Sequence, residues 1–109
     1  EGPLAVVFDI DTPGGAVTAA QEIAAAILNA GVPTVAVANQ ALSAGALVAM
    51  SAESLAMLPG GAIGAATAIN GLTGETASEK VNSAWRGQFR SAAEARGRNA
   101  RVAEAMVSA

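Results

Sequence analysis

ALSAGALVAMSAESLAMLPGGAIGAA, residues 41–66, places one hydroxyl, Ser43, among residues too small to crowd it and follows it with helix-forming sequence. Leu42, Ser43, Ala44 and Gly45 read as a strand-to-helix junction, because serine is a favoured N-cap, its neighbours carry almost no side chain, and Ala46 to Ala52 is strong helix former. A substrate backbone can approach closely at such a junction. Pro59-Gly60-Gly61 then breaks the chain, and Gly64 follows one short apolar step later, which predicts a tight return beside the same hydroxyl.

Working outward, Leu4 to Ile10 (LAVVFDI) is an apolar run with a β-branched and aromatic centre, the pattern of a strand buried on both faces. It ends in Asp11-Thr12-Pro13-Gly14-Gly15, where proline removes one donor and two glycines leave their amides unobstructed, a turn able to donate to an anion. Ala16 to Ala30 puts Ala20, Ile23, Ala24, Ile27 and Leu28 at helical spacing on one face, and Gly31 is expected to end that helix as C′. Pro33 to Ala38 (PTVAVA) is a second buried strand, so strand, glycine turn, helix and strand form a βαβ unit with a right-handed crossover. Beyond the Ser43 helix, Ser54 to Leu58 and Ala62 to Ala66 read as two short extended pieces. Thr67 to Ala77 is the most polar and glycine-rich stretch and reads as a mobile loop or substrate lid. Ser78 to Arg96 is a long amphipathic helix with Val81, Trp85, Phe89 and Ala92 on one face, closed by Gly97, and Arg101 to Val107 is a last short helix.

Composition narrows the chemistry. The 109 residues suffice for one domain; 52% are apolar and only 14% charged, so the sequence packs rather than staying disordered. Rings are 3% and much of the apolar share is alanine, so elements must approach closely to bury enough area. A net charge of −3 argues against a nucleic-acid backbone as partner. With no cysteine there is no disulfide framework or thiolate nucleophile, and with no histidine the usual general base and the commonest metal ligand are missing. No cofactor and no metal site are implied. No uninterrupted apolar window reaches the ~18 residues that span a bilayer, and no basic n-region resembles a signal peptide. The chain opens at Glu1 and enters a strand within a few residues, so a fragment of something longer is expected.

From these residues alone Ser43 is either a nucleophile or only an N-cap, and Gly14-Gly15 either an anion-donating pair or only a turn. Asp9 and Asp11, two apart at a strand end, read as turn caps rather than a carboxylate pair. Trp85 and Phe89 read as core or interface, and Arg86, Arg90, Arg96, Arg98 and Arg101 as a solvated helix face with ion pairs to Glu94 and Glu104.

The ordered motifs DTPGG at 11–15, PTVAV at 33–37, Ser43-Ala44-Gly45, MLPGGAIGA at 57–65 and Gly97-Arg98-Asn99 resemble the NfeD-type membrane-bound proteases, relatives of signal peptide peptidase A and ClpP. The resemblance covers nearly the whole chain. It implies an α/β, ClpP/crotonase-like fold of repeated β-β-α units with parallel strands, here a single protease domain lacking a preceding strand and helix and a following membrane part. It implies Ser43 as nucleophile, the N–H groups of Gly15 and Ala44 as oxyanion hole, and Gly14, Gly45 and Gly64 lining the substrate path. It also implies a membrane-associated full-length protein, of which this is a soluble stretch, acting on apolar, extended peptide or protein substrate and partnered by a stomatin-like membrane protein. The alanine-rich faces lead us to expect a homo-oligomer.

The family's base is a lysine on the helix before Gly-Arg-Asn, and counting back from Gly97 leads near Arg90, which stays protonated and cannot serve. Lys80, the only lysine, lies ten residues earlier, about 15 Å along the helix, so the two positions are not interchangeable. Either Lys80 is the base or the dyad is broken. The expected activity is a serine endopeptidase of Ser-Lys type. A catalytically silent scaffold at membranes and a crotonase-type acyl-CoA enzyme, which would not need Ser43, are the alternatives.

Overall fold

A computed structural model describes residues 4–108. Three parallel strands, β1 (Val6–Thr12), β2 (Thr34–Leu42) and β3 (Ser54–Gly64), form one sheet in the order β1-β2-β3. Helix α1 (Val17–Leu28) makes the first crossover and α2 (Ala44–Ser51) the second; α3 (Glu79–Ala95) and α4 (Ala100–Ser108) pack against each other after the sheet is complete. The class is α/β with parallel strands, as the sequence predicts.

The short helix α2 is the hub. Of its eight residues only Val48 is not buried, so apolar surface runs all round it, as in a helix with neighbours on every side. Towards the sheet it meets a cluster built from Ile10, Ile27, Ala36, Ala38 and Ala41. Towards the helices it meets Ala20, Ala24, Trp85, Phe89, Ala103 and Val107. Alanine makes this possible, since a Cβ alone lets backbones close in without leaving a void. Trp85 and Phe89 supply the volume, edge to face with centroids 5.1 Å apart, and the indole N–H donates to Ala66 O at 2.7 Å.

Several expectations change. The run from Leu4 to Ile10 is not buried on both faces: side chains alternate across the sheet, one face is left largely uncovered with Val7 63% exposed, and within β1 only Ile10 is buried. Strand β2 continues past Ala38 to Leu42 because β3 pairs alongside it. Pro59-Gly60-Gly61 does not break the chain. It bulges from a single strand, the register stepping from Ala38 opposite Met57 to Gln40 opposite Ala62, so the two expected extended pieces are one. Helix α1 ends at Asn29, whose amide Nδ2 donates to Ala25 O at 2.8 Å, so Gly31 is not its C′ residue. Ile23 and Val81, expected on buried helix faces, are each 47% exposed. Residues 67–77 close into a hairpin-like turn: Ile69 bridges Thr76 antiparallel, and Asn70 Oδ1 accepts from the amides of Leu72 and Thr73.

Phe89 has no solvent exposure and lies at the centre of the helix cluster. Phe89→Ala is expected to lower stability by about 3–5 kcal/mol, read as a shift of the urea midpoint with little change in slope.

Candidate active site

Ser43 lies where β2 ends and α2 begins, at the C-terminal edge of a parallel sheet, where ligands of open α/β sheets bind. It occupies the N-cap position, but its side chain makes no capping hydrogen bond. The backbone is the reason: at φ 56° and ψ −122° the hydroxyl is turned away from the amides that a capping serine would reach. A non-glycine residue in such a conformation costs on the order of 1–3 kcal/mol and persists only where its surroundings impose it. Those surroundings are visible. The Ser43 amide donates to Gly64 O at 2.8 Å, Gly64 has φ 130°, and Ala65, the other non-glycine residue with positive φ among those described, has φ 49°. The expected return of Gly64 beside Ser43 is thus present. Backbone strain at Ser43 itself had no sequence signal, since nothing in Leu-Ser-Ala-Gly excludes an ordinary cap.

The glycine turn after β1 lies against the same serine. Thr12 Oγ1 accepts from the Gly14 amide at 3.2 Å and donates to Gly14 O at 3.0 Å, which folds the turn back on itself. A side chain on Gly14 would sit 3.0 Å from Ser43 Cβ and 3.3 Å from Ser43 Oγ, so glycine there lets the turn's backbone meet the hydroxyl. Gly45 is held even more tightly: a Cβ would fall 2.4 Å from Thr12 Cγ2. Among the described residues the amides of Gly15 and Ala44 donate no hydrogen bond. Ala44 is the first residue of α2, where helix amides have no intrahelical acceptor and the dipole is positive. A cleft of about 330 Å³ runs past them, lined by Ile10, Ala19, Ala20, Ile23 and Val48 together with Asp9 and Asp11.

The structure therefore brings Ser43, Gly14, Gly15, Ala44, Gly45 and Gly64 to one place. Among the described residues no hydrogen bond or ion pair joins Lys80 to them. It is exposed in the first turn of α3 and has no hydrogen bond or ion pair among the described residues. What ties that turn to the site is Asn82, a buried residue that sequence reading passed over: its Oδ1 accepts from Ala68 N at 2.8 Å and its Nδ2 donates to Ala77 O at 3.1 Å. Both ends of the hairpin, which begins just beyond Gly64, are thereby held to α3. Arg90 lies on the outer side of α3 and pairs with Glu104 at 3.4 Å, and Arg86 pairs with Glu79. Of the expected pairing with Glu94 there is none among the described residues. Arg96 and Arg98, expected on a solvated face, instead reach backbone carbonyls at the far end of α2. Burial, and then the charge of Arg96, holds the Arg98 guanidinium below its ordinary value. No group of three or more acidic, cysteine or histidine side chains among the described residues is arranged to hold a metal ion.

Ser43 is thus a half-buried serine at a strained strand-to-helix turn, with the amides of Gly15 and Ala44 in the adjoining cleft. The chain belongs to the NfeD1b N-terminal domain family, whose model matches residues 1–109. It is 39% identical over 102 residues to membrane protein NfeD1b of Bacillus subtilis (strain 168), covering 93% of this chain and 23% of that protein. It is 30% identical over 112 residues to membrane-bound protease PH1510 of Pyrococcus horikoshii, covering 95% and 25%. Two solved structures of the 1510-N membrane-bound stomatin-specific protease superpose on it. A lysine-to-alanine variant in complex with a substrate peptide gives a TM-score of 0.90 at 30% identity over 96% of this chain and 52% of that one. A serine-to-alanine variant gives 0.89 at 28% over 96% and 55%. The chain thus spans about a quarter of the length of the curated relatives and about half of the solved chains. Those relatives are membrane proteins, whereas no described helix here is long and apolar enough to cross a membrane.

The Gly45–Thr12 contact yields a direct check. Gly45→Ala is expected to cost about 1–3 kcal/mol through overpacking. Adding Thr12→Ser, which removes the clashing methyl and keeps the hydroxyl, should recover most of that loss in denaturant melts of the single and double variants.

Proposed function

We propose that this chain is the catalytic part of a serine endopeptidase in which Ser43 attacks the scissile carbonyl and Lys80 is the base. The observation that carries the reading is the pair of unoccupied amides, Gly15 and Ala44, flanking a strained serine. In the reaction Ser43 Oγ bonds to the carbonyl carbon and its proton passes to the Lys80 amine. The carbonyl oxygen becomes an oxyanion held by the two N–H groups. Collapse breaks the C–N bond, the proton returns from Lys80 to the leaving amine, and water then hydrolyses the acyl-serine. Each donor is worth about 10²–10³ in rate.

Gly14, Gly45 and Gly64 leave the main chain open to an extended substrate, and the apolar walls of the cleft favour an apolar one. Lys80 as base is supported by its being the only lysine and by the relatives. The serine and the lysine replaced in the two solved chains lie at a sequence separation close to that of Ser43 and Lys80. Those chains are named as stomatin-specific and membrane-bound, and we carry that over as the substrate reading: an apolar segment of a stomatin-like membrane protein. A homo-oligomer is consistent with the uncovered edge and face at Val7. The exposure of Lys80 favours a second reading, a silent scaffold that keeps the shell of the site.

Cleavage of an apolar peptide panel by the full chain separates them. Ser43→Ala and Lys80→Ala are each expected to lower turnover by about 10³-fold or more, and Lys80→Arg should not restore it, since arginine keeps the charge but cannot accept the proton. A folded parent without turnover supports the scaffold.

A further inference from the structure

The far end of α2 holds an arrangement that the proposed chemistry does not use. Helix α3 closes in a Schellman motif: the Gly97 amide donates to Glu94 O at 3.2 Å and the Arg98 amide to Ala93 O at 2.8 Å, with Gly97 at φ 69°. That turn sends the side chains of Arg96 and Arg98 to the same place. Arg98 Nη1 donates to Met50 O and Ala52 O, each at 2.9 Å, and Nη2 to Glu53 O at 3.2 Å. Arg96 Nε donates to Ser51 O at 2.8 Å and Nη2 to Ile27 O at 3.3 Å. The last carbonyls of α2 and the start of its exit are thus received by two guanidinium groups.

Neutral donors would satisfy those carbonyls. What two cations add is charge, and it is not cancelled: the ion pairs among the described residues belong to Arg86 and Arg90, and no carboxylate pairs with Arg96 or Arg98. The two even repel, which is part of why Arg98 is pushed down from its ordinary pKa. They stand at the negative pole of a helix whose positive pole is the Ala44 amide, about 12 Å away at 1.5 Å per residue. Because every residue of α2 but Val48 is buried, little water lies along it to screen that field.

We infer that Arg98, supported by Arg96, is a positioning residue for the nucleophile helix: it cancels the negative pole of α2, so the positive pole at Ala44 acts undiminished on the oxyanion formed at Ser43. The inference rests on the proposed serine chemistry. The oxyanion exists only after attack, so the effect falls on turnover rather than on substrate binding.

The test is steady-state cleavage of an apolar peptide by the full chain, with turnover expressed per Ser43 titrated by an active-site-directed fluorophosphonate. Arg98→Gln should lower kcat by roughly three- to tenfold, about what one charge some 12 Å from the oxyanion is worth at an effective dielectric near 20, with KM unchanged. Arg98→Lys, which keeps the charge and loses the fork, should lose stability but stay within about twofold of the parent kcat. If Arg98→Gln does not fold, Arg96→Gln, which leaves the three Arg98 bonds in place, should show a smaller fall in kcat, again at constant KM. Parent-like kcat per titrated site in Arg98→Gln, or in Arg96→Gln where that variant stands in for it, overturns the inference. So does an equal fall in Arg98→Lys, or a change confined to KM. Turnover in the parent that survives Ser43→Ala overturns the serine reading itself, and this inference with it, whereas Ser43-dependent turnover indifferent to Arg98 overturns only the latter.

Discussion

The rest of the structure depends on burying one short helix almost completely. Helix α2 has the sheet on one side and α1 and α3 on others, and a helix in that position cannot leave its end groups to water. Its C-terminal carbonyls are received by Arg96 and Arg98. Its N-terminal end is treated differently. Among the described residues the Ala44 amide, like that of Gly15, has no acceptor, and Ser43 does not cap. An end that is satisfied and an end that is not give the helix a direction, and the unsatisfied end is the one that meets the cleft.

Close approach is the second consequence. The turn after β1 can reach Ser43 only because Gly14 and Gly45 lack side chains, and the chain leaving β3 can return to it only because Gly64 takes a φ of 130°. Three segments distant in sequence therefore converge on one serine through backbone rather than through side chains. This explains how a chain without histidine or cysteine can still present an organised polar site: the donors are amides, which every residue carries. It also explains the weight of alanine in the core, since larger residues would hold these backbones apart.

Much of this could be read from the chain. The period of the apolar residues marked the strands and helices, and Gly-Gly, Ser-Ala-Gly and Gly-Arg-Asn marked where they turn. The misreadings share a cause, which is that local pattern does not record neighbours. Strand β1 has the composition of a strand covered on both faces but has one face left largely uncovered. Pro59-Gly60-Gly61 has the composition of a break, but β2 holds its flanks in one ladder. Asn82 looks like an ordinary polar helix residue, and only the hairpin returning to it makes it a buried clamp. The arginines at 96 and 98 look solvated until the Schellman turn aims them at α2.

The sequence by itself determined which residue types were available: one small-residue serine junction, one glycine pair able to expose amides, a single lysine, and an alanine-rich core that demands tight packing. Local chemistry suffices for that, because propensity and turn preference act over a few residues. Tertiary structure alone decided that Ser43 is strained instead of capping, that Gly14, Gly15, Gly45 and Gly64 meet at it, and that two arginines terminate its helix. Those outcomes arise from contacts between segments far apart along the chain, where the conformation of each residue is imposed by a neighbour that its own sequence does not name.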